Sequence, residues 1–353
     1  GVINLEIMKI LDTTIRDGSY AVDFRFTCKD VEHICSRLEK LNIEYIEIGH
    51  GQGLNASSQE HGYALHSDEE YLKAAKSVVG QSKIGFFCIP GIARLEDLDM
   101  ARQGGCDFVR IGVNANMPEQ AGEFIKHAKN LGLIIMVNYM KTYIVSPEEF
   151  AKNALWAHEQ GAECVYIVDS AGSMLPDELR RYYEETRKLT NVKLGFHGHN
   201  NLGLAVSNSI YCADLGFDMI DTSMQGLGRS LGNASTEMTI MALKKKGYDL
   251  DVDIPRLLEY GYVSLRDITD GKVQNPLDLI CGYAGFHSSY IKDIYKCCNE
   301  KNVDPLRLIL AYSEVDQRDM DYKKLCDIAE KLPEDLEDNP YTFREYFSSR
   351  YID

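Results

Sequence analysis

Eight short apolar runs alternate with eight amphipathic stretches over residues 6–246 of this 353-residue chain. The apolar runs are rich in β-branched side chains and have the length of strands, whereas the stretches between them have helical period. Strands are predicted over 6–12, 45–49, 83–89, 108–113, 133–139, 164–169, 193–199 and 219–223, and helices over 29–41, 68–79, 95–103, 118–131, 147–160, 176–189, 202–215 and 235–246. Uninterrupted alternation predicts a parallel sheet, and a count of eight favours a closed (β/α)₈ TIM barrel over an open doubly wound sheet.

The sequence changes character after residue 250. Helices with no strand between them are predicted over 254–270, 276–300, 305–312 and 322–331. We therefore predict an α/β chain in three regions, with a (β/α)₈ barrel over 8–250, a C-terminal helical extension over 251–335 and a polar tail over 336–353.

Composition argues against two kinds of partner. The net charge is −16, and the one basic run, Lys244 to Lys246, lies near the end of a predicted helix, so a nucleic-acid surface is not expected. No stretch approaches the roughly 18 apolar residues that span a bilayer, and the N-terminus lacks the pattern of a signal peptide. Ten cysteines without a C-x-x-C pair indicate reduced thiols, so we expect a cytoplasmic protein without membrane attachment.

Two histidines lie on one predicted strand, in the segment FHGHNN over 196–201. Side chains alternate faces along a strand, so His197 and His199 point to the same side. Two neutral imidazoles in this arrangement can bind one divalent metal ion. An H-x-H pair alone is a weak signal, and it becomes a strong one only when an oxygen ligand comes from elsewhere in the fold.

In a (β/α)₈ barrel, polar residues at the carboxyl ends of the strands converge on one site. The polar residues at the predicted strand ends are Arg16, Asp17, Glu47, His50, Arg110, Asn114, Asn138, Tyr139, Asp169, Ser170, His197, His199, Asp221 and Asn233. So many polar groups after apolar strands indicate a site. For any single residue the alternative is a buried ion pair between strands, for example between Glu47 and Arg110.

Asp17 with His197 and His199 would form a two-histidine, one-carboxylate site with open positions. Such a site suits Mn²⁺, the expected ion, or Mg²⁺ more than a closed zinc site, while Zn²⁺, Co²⁺ and Fe²⁺ remain alternatives. Arg16 would place a cation where an enolate oxygen forms. A metal and an arginine facing a 2-oxo acid suit the making or cleaving of a carbon–carbon bond.

Several segments carry a family resemblance. The segment DTTIRDG over 12–18 resembles the D-x-T-L-R-D-G signature of the DRE-TIM metallolyase (HMG-CoA lyase-like) superfamily, and FHGHNNL over 196–202 agrees with it. Further segments resemble the 4-hydroxy-2-oxovalerate aldolase branch, namely 49–54, 88–92, 169–172, 226–228, 232–234, 282–285 and 288–289. The similarity runs from residue 8 to about residue 332.

The resemblance implies a class II, divalent-metal-dependent aldolase. Such a lyase reversibly cleaves a 4-hydroxy-2-oxo acid to pyruvate and a short aldehyde through a metal-stabilised pyruvate enolate. Carried over by position, Asp17, His197 and His199 would bind the metal, Arg16 would bind substrate and stabilise the enolate, and Ser170 would lie beside the pyruvate moiety. The extension resembles the family's communication domain, which docks an acylating aldehyde dehydrogenase, and a homo-oligomer is expected.

The chain departs from the family pattern at two positions. The family has a histidine, the expected general base, where this chain has Tyr20, and a tyrosine where this chain has His287. A histidine of ordinary pKa is a better base at neutral pH than a tyrosine. We hypothesise that His287 takes the role of base and that Tyr20 orients it or donates to the aldehyde oxygen. The alternative is that both positions have drifted and the substrate or base differs.

Phe87 and Ile89 share one face of the third strand, where the family has smaller groups around the aldehyde. A bulky Phe87 would shorten or reshape that pocket, or it would fill core as strand phenylalanines usually do.

Two other functions compete with the aldolase. One is a Claisen-type acyltransferase that condenses an acyl-CoA with a 2-oxo acid on the same metal site, and the other is a non-enzymatic metal-dependent scaffold.

Overall fold

The eight predicted strands pair in parallel and in chain order, and the last pairs with the first to close a barrel. The computed structural model describes residues 8–333 and 343–347. The strands are β1 (Lys9–Asp12), β2 (Tyr45–Ile48), β3 (Lys83–Cys88), β4 (Phe108–Asn114), β5 (Ile134–Met140), β6 (Cys164–Asp169), β7 (Lys193–Gly198) and β8 (Met219–Thr222). The predicted (β/α)₈ barrel is confirmed, although residues 6 and 7 of the first predicted strand lie outside the described residues.

Eight helices follow the strands in turn. They are α1 (Cys28–Lys40), α2 (Asp68–Val78), α3 (Leu95–Gln103), α4 (Gly122–Asn130), α5 (Pro147–Gln160), α6 (Pro176–Leu189), α7 (Ala205–Leu215) and α8 (Thr236–Lys245). Local chemistry sets where they begin. Thr27 and Ser67 accept backbone hydrogen bonds in capping boxes, and Pro147 begins α5, where a missing N–H costs nothing.

The barrel interior changes from apolar to charged along the strand direction. An apolar cluster of buried residues consists of Leu11, Phe108, Met136, Cys164, Tyr166, Val168 and Met219. Alternate residues of a strand share a face, so Arg110 follows Phe108 and Asp221 follows Met219 on the same side, one step closer to the carboxyl end. Arg110 lies over the Tyr166 ring at 4.8 Å. The apolar cluster is therefore a floor beneath a charged layer.

The chain divides into two compact units. The first contains the barrel through Leu243 with Asp249–Asp251, and the second contains Lys244–Tyr248 and the chain from Val252 onward. The second unit contains α9 (Ile254–Leu265), α10 (Pro276–Ala284), α11 (Ile291–Lys301), α12 (Pro305–Val315) and α13 (Tyr322–Ala329). Within its described residues it has no strand, so the C-terminal helical extension is confirmed.

One predicted helix of the extension is wrong. The stretch 276–300 forms two helices, because Gly285 takes a left-handed conformation with φ 66° and ends α10. A 3-10 turn, Ser288–Tyr290, then leads into α11.

Most of the predicted polar tail, 336–353, lies outside the described residues. In the short described part, Tyr346 packs edge-on against Tyr262 at 5.3 Å and Phe347 against Tyr295 at 5.0 Å. In the described ranges, no helix combines the length and apolar character that a membrane crossing needs.

Candidate metal centre and active site

The turn after β1 places Arg16 and Asp17 at the carboxyl end of the barrel. The Asp12 carboxylate accepts the backbone N–H and the hydroxyl of Thr14 at 2.9 and 2.7 Å, so Asp12 shapes the turn. The Thr14 hydroxyl in turn accepts the N–H of Met224, which follows β8. Asp17 then begins a 3-10 helix, Asp17–Val22. The signature motif therefore serves partly as a turn that positions two side chains.

The structure brings together the three predicted metal ligands. One ligand atom from each of Asp17, His197 and His199 lies within 4.8 Å of the others, and all three residues are buried. Asp17 Oδ2 lies 2.9 Å from His197 Nε2 and 3.8 Å from His199 Nε2. One carboxylate oxygen and two imidazole nitrogens that face one point form a donor set that suits a divalent cation.

Two carboxylates flank His197. Nδ1 donates to Asp221 Oδ2 at 2.7 Å, which leaves Nε2 as the nitrogen that faces Asp17. Burial alone would lower the pKa of His197, but the hydrogen bonds and charges of Asp17 and Asp221 outweigh it and raise the pKa. Burial lowers the pKa of His199 to about 4, so this imidazole is neutral. The site therefore favours a positive charge between Asp17 and His197.

Asn233 supports the same carboxylate. Its Nδ2 donates to Asp17 Oδ2 at 3.1 Å, while its Oδ1 is buried without a hydrogen-bond partner among the described residues. His199 Nδ1 is buried and unpartnered in the same way. Buried acceptors are normally satisfied, so an unpartnered amide oxygen beside Asp17 fits a site built for a cation.

A chain of buried ion pairs connects Arg16 to His197 across the barrel. Arg16 Nε donates to Glu47 Oε1 at 2.6 Å, and Arg110 donates to both oxygens of Glu47 at 2.6 and 2.7 Å. Arg110 Nη1 continues to Asp221 Oδ2 at 2.5 Å, and Asp221 accepts from His197. We call these five residues the buried ion-pair chain. Glu47 and Arg110 thus form the ion pair that the sequence suggested as the alternative to a site role.

Arg16 is fixed on three sides. Besides Glu47, its Nη1 donates to the carbonyl of Gly51 at 3.2 Å, and its guanidinium lies 4.5 Å above the Phe87 ring. Burial would lower the pKa of Arg16, but the charges of Glu47 and Asp17 raise it, so the group stays cationic. This supporting contact of Phe87 was not predicted, because strand alternation gives the face of a side chain but not its neighbour.

A cavity of about 620 Å³ opens at this end of the barrel. Its walls include all predicted site residues of the barrel unit, which are Arg16, Asp17, Tyr20, Phe87, Ile89, Ser170, His197 and His199. Lys141 and Arg229 line it as well, and neither was predicted from the sequence.

The fifth strand was predicted to end at 139 but runs to Met140, and this extension places Lys141 at the cavity wall. Tyr139, a polar residue at the predicted end of this strand, instead donates to the carbonyl of Asn153.

Tyr20 lies half-buried in the cavity wall. Its ring packs so closely on Gly51 that a Cβ there would lie 2.5 Å from a ring carbon, and Arg229 lies 4.8 Å over the ring. Burial raises the pKa of Tyr20, with Arg16 and Arg229 opposing and Asp17 adding to the rise. Tyr20 is therefore a neutral phenol at physiological pH, able to donate a hydrogen bond.

His287 lies in the helical unit, at the start of the 3-10 turn Ser288–Tyr290, and is exposed. Its Nδ1 lies 2.8 Å from the Ser289 hydroxyl and accepts the Ser289 N–H at 3.2 Å. A neutral ring that uses Nδ1 as acceptor carries its proton on Nε2. In this conformation Nε2 is a donor, and a proton can join Nδ1 only if the contact with the Ser289 N–H breaks.

Fold and site together define a (β/α)₈-barrel enzyme with a carboxylate–imidazole centre at the carboxyl ends of its strands. The HMGL-like family model matches residues 7–263. The chain belongs to the HMGL-like family.

Curated relatives extend over most of the chain. It is 34% identical over 303 residues to the 4-hydroxy-2-oxovalerate aldolase of Pelotomaculum thermopropionicum, which covers 86% of this chain and 89% of that protein. It is 40% identical over 250 residues to the oxaloacetate decarboxylase of Mycobacterium tuberculosis, covering 71% and 74%. The HMG-CoA lyase structure from Brucella melitensis superimposes with a TM-score of 0.62 at 18% identity, over 75% of this chain and 99% of that one, which shows a shared fold.

Proposed function

We propose that this protein is a divalent-metal-dependent aldolase that reversibly cleaves a 4-hydroxy-2-oxo acid to pyruvate and a short aldehyde. The observation that carries the proposal is the fixed Arg16 guanidinium beside Asp17, His197 and His199 in one cavity. The relatives named 4-hydroxy-2-oxovalerate aldolase support it. They give no support to the acyltransferase alternative.

Asp17, His197 and His199 would hold the metal, and Mn²⁺ is the ion we assign to them. When bound, a divalent ion supplies Lewis-acid polarisation of the 2-oxo group. Arg16 supplies a rigid cation where negative charge develops on pyruvate, and its ties to Glu47 and Gly51 remove the cost of orienting it during the reaction. Ser170, Phe87 and Ile89 line the same cavity and bind substrate.

Proton transfer at the 4-hydroxyl is assigned to His287, with Tyr20 donating to the aldehyde oxygen. The support is the exchange of residue types at the two positions and the neutral phenol of Tyr20. Turnover and its pH profile in His287→Ala and Tyr20→Phe variants test the assignment, with the exposed helix histidine variant His33→Ala as control. Unchanged turnover in His287→Ala would remove His287 from the mechanism.

Oxaloacetate decarboxylation is a second candidate, favoured by the 40% identical relative of that name. Both reactions pass through a pyruvate enolate, so Arg16 has the same role in each. They differ in the group that leaves, an aldehyde in one and carbon dioxide in the other.

Two assays test the proposal. Purified protein with Mn²⁺ and pyruvate in D₂O should exchange the methyl protons of pyruvate, as followed by NMR. Pyruvate release from 4-hydroxy-2-oxopentanoate and from oxaloacetate then ranks the two candidates. Asp17→Asn should abolish both signals. Absence of exchange and of pyruvate release with each of Mn²⁺, Mg²⁺, Co²⁺ and Zn²⁺ would overturn the proposal.

The helical unit is assigned the docking of an acylating aldehyde dehydrogenase, and the protein a homo-oligomeric state, both by its family resemblance. Light scattering on the purified protein, alone and mixed with such a dehydrogenase, tests both assignments. A cytoplasmic location is also assigned, and it is supported by ten cysteines that are all free thiols.

A further inference from the structure

Two cations line the cavity without a counter-charge. Arg16 and Arg110 are paired with carboxylates of the buried ion-pair chain. Lys141 and Arg229 also line the cavity, yet neither side chain forms an ion pair within the described part of the chain. Unpaired cations beside a binding cavity attract anionic ligands.

Arg229 is exposed at the cavity wall, beside Asp17 and the Tyr20 ring. Its backbone N–H points to Asp17 Oδ1 at 3.4 Å, and its guanidinium stacks over the Tyr20 ring at 4.8 Å. The loop around it is tightly built, since a Cβ on Gly232 would lie 2.2 Å from the carbonyl oxygen of Gly226. A ligand that binds a cation on such a loop needs little ordering of the loop backbone.

Lys141 lies at the cavity wall, with a backbone conformation that residues other than glycine rarely adopt. Its backbone is left-handed, with φ 53° and ψ 49°, and its N–H donates to the Ser170 hydroxyl at 3.0 Å. Uncommon backbone conformations of this kind cluster at functional sites, although they also occur at ordinary turns and helix ends. On β5, which ends just before Lys141, the buried Asn138 lines the cavity, and its Oδ1 has no hydrogen-bond partner among the described residues. These are signs of a wall built to contact a polar ligand.

We propose that Arg229, which stacks on Tyr20, binds a second anionic group of the substrate, a carboxylate or a phosphate, at its aldehyde end, with Lys141 as a second cation of the cavity wall. The inference rests on the proposed aldolase function and narrows its substrate class. The 2-oxo acid end of the substrate contacts Arg16, and the aldehyde fragment carries an acidic group. Neutral aldehydes are then poor partners for pyruvate.

Equilibrium binding separates the two ends of the substrate. With Mn²⁺ present, calorimetry compares 2-oxoglutarate and 2-oxo-4-phosphonobutanoate with 2-oxopentanoate, which has the same 2-oxo acid end but a terminal methyl group. None has a 4-hydroxyl group, so none is cleaved. We expect the better acidic ligand to bind at least about tenfold more tightly than 2-oxopentanoate, because charge-assisted contacts are strong. The tighter of the two acidic ligands identifies a carboxylate or a phosphate.

Four variants assign that preference to residues. Arg229→Met and Lys141→Met should each reduce the preference for the acidic ligand over 2-oxopentanoate to about threefold or less. Arg229→Lys should retain most of that preference. Lys152→Met removes the same charge from exposed helix α5 and should leave it unchanged. Equal binding of acidic and neutral ligands by the wild type, or a preference that survives both methionine variants, overturns the proposal. Failure of the aldolase function is seen separately, as absent deuterium exchange into pyruvate.

Discussion

Arg16 shows how much of this site depends on single side-chain contacts. A guanidinium has five donors, and here one is used on Glu47 and one on Gly51, while the Phe87 ring supports its face. A lysine at this position would keep the charge but lose the planar fork that these contacts require. Charge and orientation can therefore be separated by experiment.

Arg16→Lys should lower kcat by about 10²–10³-fold, the usual loss when a preorganised donor to a developing oxyanion is removed. Mn²⁺ affinity should change little, because Arg16 is not among the assigned ligands. Steady-state kinetics and calorimetry measure the two effects. Arg102→Lys, on the exposed face of α3, is the matched control. A parallel loss of metal binding would show that Arg16 acts by positioning Asp17.

Glu47→Gln should cost about 3–5 kcal/mol of unfolding free energy at pH 7, because it leaves Arg16 and Arg110 buried with an incomplete partner. Burial would raise the pKa of Glu47, but Arg110 and Arg16 outweigh it and lower the pKa to about 2. A lowered folded pKa means that this stabilisation is present above about pH 4.5 and is lost as the pH falls toward 2. Denaturant unfolding should show the gap between variant and wild type narrowing from pH 7 to pH 3.

The residue types of the centre could be predicted from sequence, whereas their neighbours could not. Asp17, His197 and His199 belong to recognisable motifs at strand ends, so the barrel rule places them together. The support of Arg16 by Phe87 depends on a contact between adjacent strands, which no local pattern records. Lys141 was missed because the end of a strand is the least certain part of its prediction, and one extra residue moved it to the cavity wall.

At the scale of elements, the buried carboxyl group of Glu237 contributes to holding the turn after β8. This 3-10 turn, Met224–Gly226, contains Gln225 in a left-handed conformation. Glu237, at the start of α8, accepts the Gln225 N–H with both oxygens at 3.0 and 2.9 Å and the Ser235 hydroxyl at 2.9 Å. This turn precedes the loop that carries Arg229, so Glu237 supports one wall of the cavity from behind.

Burial raises the pKa of Glu237 to about 7, with the hydrogen bonds opposing. A carboxyl group with a raised folded pKa stabilises the protein fully below about pH 4.5, and that stabilisation is lost as the pH rises through 7. Glu237→Gln should therefore remove a pH-dependent stability difference of roughly 1–3 kcal/mol between pH 5 and pH 8. Urea unfolding at both pH values measures it. An unchanged difference in the variant would assign the pH dependence to another group, such as Asp12.

Elements were predicted well where caps and alternation coincide, and poorly where a glycine interrupts an apolar run. The strands of the barrel match their predicted positions closely because each is short, apolar and followed by a helix. The helix predicted over 276–300 failed at Gly285, since residues on both sides have helical character and only the backbone angle shows the break.

At the scale of the whole molecule, ligand binding should appear as stability. The centre brings Asp17, His197 and His199 together only in the folded state, so a cation that binds there stabilises that state alone. By linkage, Mn²⁺ at 100 times its Kd should add about 2.7 kcal/mol.

Mn²⁺ added to EDTA-treated protein should raise Tm by several degrees, and EDTA should reverse the rise. Calorimetry or circular dichroism measures the shift. Asp17→Asn should show no shift, and Lys152→Met should behave as wild type. A shift that persists in Asp17→Asn would place the stabilising cation elsewhere.

Closure of the barrel between β1 and β8 also sets when the site can exist. The hydrogen bond from Thr13 to Thr222 spans 209 residues, and that from Asn233 to Asp17 spans 216. A chain emerging from the ribosome therefore has half of its site exposed long before the other half has been made. A nascent chain that has not yet reached β8 cannot form the complete centre, so cation binding during synthesis should begin only when the barrel can close.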